Sequence, residues 1–338
     1  MIGWGAVVAL ALGAGCYSPS FRDCELVCSA GGACPDGFEC ATQGVCRPIG
    51  MTGPCTTIDA SMDGTAEIDA SVIPPHPMTT WSTPVAVPLQ PGSADEPSLT
   101  GDMLELYVNL GNVLAFATRT SPSATWSGLM PADLLNSGDP GVIDEAPYLT
   151  ADGLTIYFVS TRPFGLGEND VWMSTRTSRT APWSDPINVV ELNSPGNEVG
   201  ISVSADGLMA VLGSNRDAGT INNDLYVSTR ATTTATWGRP QPILELNTPS
   251  IDGHPILSPD TLTIYFHSDR PFQGGVSYDI YEAHRSSPTG AFGVPVRLEF
   301  ISTTSYDADP WVSPDGRTMY ITRTSGTGVN TVIHMATR

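Results

Sequence analysis

Residues 146–162 read APYLTADGLTIYFVSTR, and this stretch decides the fold. Two short alternating apolar segments flank Asp152-Gly153, a pair suited to a hairpin turn that needs positive φ. The same arrangement returns as GISVSADGLMAVLGSNR at 200–216, HPILSPDTLTIYFHSDR at 254–270 and DPWVSPDGRTMYITR at 309–323. A weaker copy, EPSLTGDMLELYVN, occupies 96–109. The turn aspartates Asp102, Asp152, Asp206, Asp260 and Asp315 are 50, 54, 54 and 55 residues apart. A period near 50 with this internal pattern signals one small antiparallel sheet per repeat.

Working outward, each repeat parses into four strands. The hairpin supplies two, and DVWMSTR, DLYVSTR, DIYEAHR and VIHMATR supply the third. The fourth follows an aromatic, Trp126, Trp183, Trp237 or Phe292, and ends in an apolar pair. The last repeat stops at Arg338 after its third strand, and the missing fourth matches WSTPVAVPLQ, which begins at Trp81. The expectation is an all-β, five-bladed β-propeller over 80–338 whose N-terminal strand closes the last blade, because an open ring would leave unprotected sheet edges.

The repeats resemble the TolB-type, WD-like propeller family, whose pattern is close to P-x-x-S-x-D-G-x-x-I-x-F-x-S-x-R…D-I-Y. The resemblance covers about 95–338 and implies a β-propeller built from these repeats. The extra N-terminal α/β domain of TolB itself has no counterpart here.

The chain has 15 bases against 35 acids, a net charge of −20, and every base is arginine. Without lysine, Schiff-base, pyridoxal and P-loop chemistries have no nucleophile or phosphate clamp. The charge argues against nucleic acid as a partner, since a polyanion is held by neutralising its phosphates. The segment Ile2–Leu12 is apolar but shorter than the roughly 20 residues that span a bilayer, so 1–15 reads as a signal peptide. Gly13-Ala14-Gly15-Cys16 resembles the lipobox of bacterial lipoproteins, which implies that Cys16 carries a lipid anchor. Cys24, Cys28, Cys34, Cys40, Cys46 and Cys55 complete a Cys-rich module over 16–55, an even set expected to form three disulfides after export; metal binding is the competing reading through Cys24-x3-Cys28, but no second close pair accompanies it. Residues 56–79, poor in apolar periodicity, read as a flexible linker.

Candidate functional residues fall into three groups. Arg162 with Asp170, Arg216 with Asp224, and Arg270 with Asp279 stand eight, eight and nine apart, and are expected to be structural pairs locking the loop between strands two and three. Glu96, Glu145, Glu198, Asp252 and Asp307 stand where strand one begins. They are expected either to converge at the channel mouth and bind a cation such as calcium or a cationic partner segment, or to accept backbone hydrogen bonds that close the ring. His254, Asp309 and Trp311 break the symmetry and form a candidate patch on the channel face. No catalytic residue or cofactor is assigned. The function expected is that of an exported, lipid-anchored, non-catalytic platform for an envelope protein or glycan, at the outer membrane, cell surface or periplasm. A carbohydrate-active hydrolase using the channel carboxylates and a calcium-stabilised envelope protein are the alternatives.

Overall fold

The computed structural model describes residues 80–338 except 217–221, 274, 276 and 325–330, together with the backbones of Leu26–Val27, Phe38–Cys40 and Val45–Pro48. Those three short strands form one small sheet in which Cys40 pairs opposite Cys46. The proposed lipid anchor Cys16, the linker and the cysteine side chains lie outside the described residues.

The rest is five four-stranded antiparallel sheets, four of them in sequential order and the fifth completed by a strand from the start of the propeller. Blade one comprises Asp95–Leu99, Glu105–Leu110, Val113–Thr118 and Met130–Pro131. Blade two comprises Asp144–Leu149, Thr155–Ser160, Asp170–Thr175 and Ile187–Asn188. Glu198–Val203, Met209–Ser214, Asp224–Thr229 and Gln241–Pro242 make blade three. Asp252–Leu257, Thr263–Ser268, Asp279–His284 and Val296–Arg297 make blade four. Blade five joins Asp307–Val312, Thr318–Thr324 and Thr331–Thr337 to Val85–Ala86. The chain is therefore a five-bladed propeller whose two ends share a blade.

Local chemistry explains the hairpins. In the Ser/Thr-x-Asp-Gly turn the hydroxyl of Thr150 donates to Asp152 Oδ1 at 2.6 Å, and the same oxygen accepts from Leu154 N at 2.9 Å. Equivalent hydroxyl bonds join Thr100 to Asp102, Ser204 to Asp206, Ser258 to Asp260 and Ser313 to Asp315. Gly153, Gly207 and Gly316 take the left-handed position that follows, while Met103 and Thr261 hold it at φ 57° and 60° in blades one and four.

No single core exists among the described residues. Five apolar clusters each fill the wedge between two consecutive blades, so every blade depends on both neighbours. Trp81 belongs to the cluster between blades four and five, beside Tyr265, Leu298 and Met319. Backbone bonds from Ser82 N to Thr337 O (2.7 Å) and Val87 N to Ile333 O (2.8 Å) seal the seam.

One arginine per blade, at the end of strand three, completes the scaffold. Arg119, Arg176, Arg230, Arg285 and Arg338 stack on Trp126, Trp183, Trp237, Phe292 and Trp81 at 4.1–4.5 Å from the ring centroid. The Nε of each donates to a carbonyl of its own hairpin turn at 2.6–2.7 Å. The aromatic preceding strand four is thus an anchor, whereas strand four itself is only two residues long and mostly exposed. Replacing buried Trp81 by alanine is expected to cost about 3–5 kcal/mol in urea unfolding. Val85→Ala, in the same strand but exposed, should cost less than about 0.5 kcal/mol. Equal losses in the two variants would deny that the seam depends on Trp81.

Candidate functional site: the two ends of the channel

The first strands line the central channel and bond to one another directly. Glu96 Oε2 accepts from Ala146 N at 2.6 Å, Ser98 Oγ from Leu149 N at 2.8 Å, and Ser202 Oγ from Leu257 N at 3.2 Å. Glu96 N in turn donates to Thr322 Oγ1 at 2.9 Å.

The ring of acids expected at the channel mouth separates into two sets. Glu198, Asp252 and Asp307, joined by Asp144, are fully buried and engaged by arginines at the end of strand two. The contacts are Arg162–Asp144 at 2.5 Å, Arg216–Glu198 at 3.2 Å, Arg270–Asp252 at 2.7 Å and Arg323–Asp307 at 2.5 Å. Each guanidinium also donates to a carbonyl of the connection from the preceding blade: Leu135, Leu192, Leu246 and Ile301. These acids close the ring.

Two of the expected arginine pairs are therefore corrected. Asp170, the residue paired with Arg162 on sequence spacing, accepts Leu166 N and Gly167 N instead. Asp279 binds Arg297 at 2.8 Å rather than Arg270. The physical reason is register: Ser160 pairs with both Asp144 and Asp170, and the arginine two residues later folds back to the strand-one side. Arg216 reaches Glu198 by the same route.

Glu96 and Glu145 form the second set. Every first strand carries a bulge, and the residue at its apex has positive φ: Glu96 54°, Ala146 49°, Gly200 68°, His254 45° and Asp309 52°. A left-handed backbone is unusual for residues with a Cβ and re-aims their side chains. Here the apices meet around a cavity of about 20 Å³, enough for one water molecule.

Around it the symmetry is broken by chemistry. His254 Nδ1 and His267 Nδ1 each lie 3.3 Å from Asp309 Oδ1, and His254 Nε2 lies 3.6 Å from Glu96 Oε1. Glu145 accepts Asn169 Nδ2 at 3.0 Å. Burial lowers the His254 imidazole to about 4 and keeps it neutral. Burial acts to raise Asp309, but His254, His267 and Thr322 outweigh it and hold that carboxyl below its usual range. Burial, with Asp309 and Glu145 nearby, pushes Asp95 up to about 7 and Glu96 well above its normal value. His267, not singled out by sequence, fills a place held by Val159, Gly213 and Thr322 in other blades, and that substitution was its available signal.

Trp311 does not join this cluster. Its buried indole packs edge-on against Tyr320 and faces the other end of the channel. At that end the hairpin turns of all five blades surround a funnel of about 520 Å³, whose wall includes Tyr148, Met173, Thr175, Arg230, Ile256 and Trp311. Its carboxylates, Asp152 and Asp206, each commit an oxygen to their own turn. The hydroxyl of Ser204 and the amide of Leu208 hold Asp206 below its ordinary pKa.

Solved structures of similar fold include an endo-arabinase of Bacteroides thetaiotaomicron, 15% identical over 77% of this chain and 97% of that one, with a TM-score of 0.52. A thermostable family-43 glycoside hydrolase is 15% identical over 75% and 91%, TM-score 0.51. A protein described as TolB of Agrobacterium tumefaciens is 17% identical over 73% and 77%, TM-score 0.45. At these identities the likeness concerns the propeller fold. No family model matches the chain, and no curated protein matches it.

Glu198 generates a pH prediction. Burial raises its carboxyl from 4.5 to about 7 despite Ser194, Arg216 and Ser214, and the Arg216 contact is the longest of the four ring pairs. The folded chain then holds a proton that the unfolded chain releases above about pH 4.5. Its contribution is full below that value and is lost as pH rises through about 7. The urea stability of the parent should therefore fall between pH 5 and 8 more steeply than that of Glu198→Gln. A shallower slope in the parent would refute the assignment.

Proposed function

We propose that the chain is an exported, lipid-anchored propeller of the TolB type that serves as a non-catalytic binding platform for an envelope protein or glycan. The occupant sits in the turn-end funnel. Its volume lies within the roughly 300–1,000 Å³ range of ligand sites, and its wall mixes aromatic, thioether and hydroxyl groups.

The observation that carries this reading is the separation of space from acid. Glycoside hydrolysis needs two carboxylates flanking a sugar, one of them a proton donor of raised pKa. Of the carboxyls with raised pKa, Asp95, Glu96 and Glu145 gather near the water-sized cavity, while Glu198 is bound by Arg216 and Asp170 by its own loop. The roomy funnel has Asp206 held in its ionised form by its own turn. Recognition is consistent with that layout. The proposed anchor at Cys16 and the linker over 56–79 would hold the propeller at the membrane surface.

Thr175 is exposed on the funnel wall, so Thr175→Trp should occupy the funnel without disturbing a core. On a glycan array and in an envelope pull-down, this variant is expected to lose at least about tenfold in retention, with an unchanged melting temperature. Unimpaired retention would defeat the assignment of the funnel. Turnover of aryl glycosides that disappears in Glu145→Gln would defeat the non-catalytic reading.

A further inference from the structure

We propose that His254, His267 and Asp309 bind a divalent transition-metal ion of the zinc type at the bulge end of the channel, with Glu96 positioning His254 for it. The three ligating atoms, one from each side chain, lie within 4.8 Å of one another. Both imidazole Nδ1 atoms are 3.3 Å from the same Asp309 Oδ1. Ligand bonds of about 2.0–2.1 Å in a tetrahedron give edges of about 3.3–3.4 Å, so two of the required edges already stand at the right length. Two nitrogens and one carboxylate oxygen suit zinc and its neighbours better than calcium, which prefers six to eight oxygens. The adjoining space of about 20 Å³ has room for a water as fourth ligand.

The surroundings of the two imidazoles point to the same ion. A neutral imidazole carries one N–H and one lone pair, yet His254 faces a carboxylate on each side, Asp309 at Nδ1 and Glu96 at Nε2. A cation beside Nδ1 takes the lone pair and leaves Nε2–H for Glu96, the carboxylate–histidine–metal arrangement that fixes tautomer and orientation. A proton on Glu96 would also satisfy His254, while Asp309 N donates to His267 Nδ1 at 3.4 Å, so the His267 lone pair already faces the Asp309 side where the metal would bind.

Space has been cleared around both rings. A Cβ on Gly200 would stand 3.0 Å from His254 Nδ1, and one on Gly253 would stand 2.9 Å from His267 Nε2. The ligands come from blades four and five, and Glu96 from blade one, so the ion would tie three blades beside the sealed seam.

The test uses the full chain, stripped with EDTA and titrated with zinc chloride, with bound metal counted by mass spectrometry. One equivalent is expected to be lost in His254→Asn and in Asp309→Asn, substitutions that tolerate positive φ. Glu96→Gln is expected to bind about 10–100-fold more weakly. Zinc should raise the melting temperature of the parent and leave that of His254→Asn unmoved. Cobalt in place of zinc should give a tetrahedral spectrum without a thiolate charge-transfer band, a readout on the parent that holds even where a variant fails to fold. Unchanged stoichiometry and affinity in His254→Asn, or a thiolate band, would place the metal on the cysteines and overturn the proposal. So would a parent that binds no zinc. The funnel lies at the opposite end of the channel, so this site and the proposed recognition site stand or fall separately.

Discussion

The structure depends on the arginine that ends the third strand of each blade. Arg119, Arg176, Arg230, Arg285 and Arg338 each bind their own hairpin turn through Nε and lie flat on an aromatic ring. A planar guanidinium does both at once: its edge donates in a fixed direction while its face stacks. A lysine ammonium has no such face, and the absence of lysine from the whole chain is in keeping with this use. Several of these arginines also reach across the wedge, Arg338 to Tyr265 and Arg176 to Glu105 among them. The fifth pair, Arg338 on Trp81, joins the two ends of the propeller and makes the ring continuous.

The second set of arginines explains how a chain of net charge −20 buries carboxylates near its axis. Asp144, Glu198, Asp252 and Asp307 would each be costly to bury alone. Each is met by a guanidinium that also caps a carbonyl of the connection before it, so the ion pair doubles as a blade-to-blade clasp. Blade one lacks the pair: Asp95 sits opposite Asn109, and no arginine follows in its strand. It is there, beside blades four and five, that unusual side chains gather. The scaffold is repetitive and its chemistry is local.

Much of this was legible in one dimension. The Asp-Gly period, the alternating strands and the match between Trp81 and the missing last strand anticipated five blades and their closure. His254 and Asp309 stood out as departures from the repeat. The ring of acids was harder to read, because the bulge in each first strand shifts side-chain direction within two residues. Glu96 sits at the bulge apex, Glu145 one place before it, and Glu198, Asp252 and Asp307 two places before it. Similar positions in an alignment by eye therefore point to different surroundings. The partners of Arg162 and Arg270 were misread for a related reason: a residue in the middle strand has neighbours on both sides, and linear spacing does not choose between them.

Sequence alone determined the number of blades, the turn chemistry and the pairing of the two ends, since these follow from local patterns repeated at a fixed interval. Only the tertiary structure decided which carboxylates are consumed by arginine and which surround the cavity. It alone set His267 beside His254 and Asp309, and parted the narrow acidic end of the channel from the wide turn end. Those outcomes depend on contacts between blades some 50 residues apart, where backbone twist and the bulge select the neighbours of each side chain.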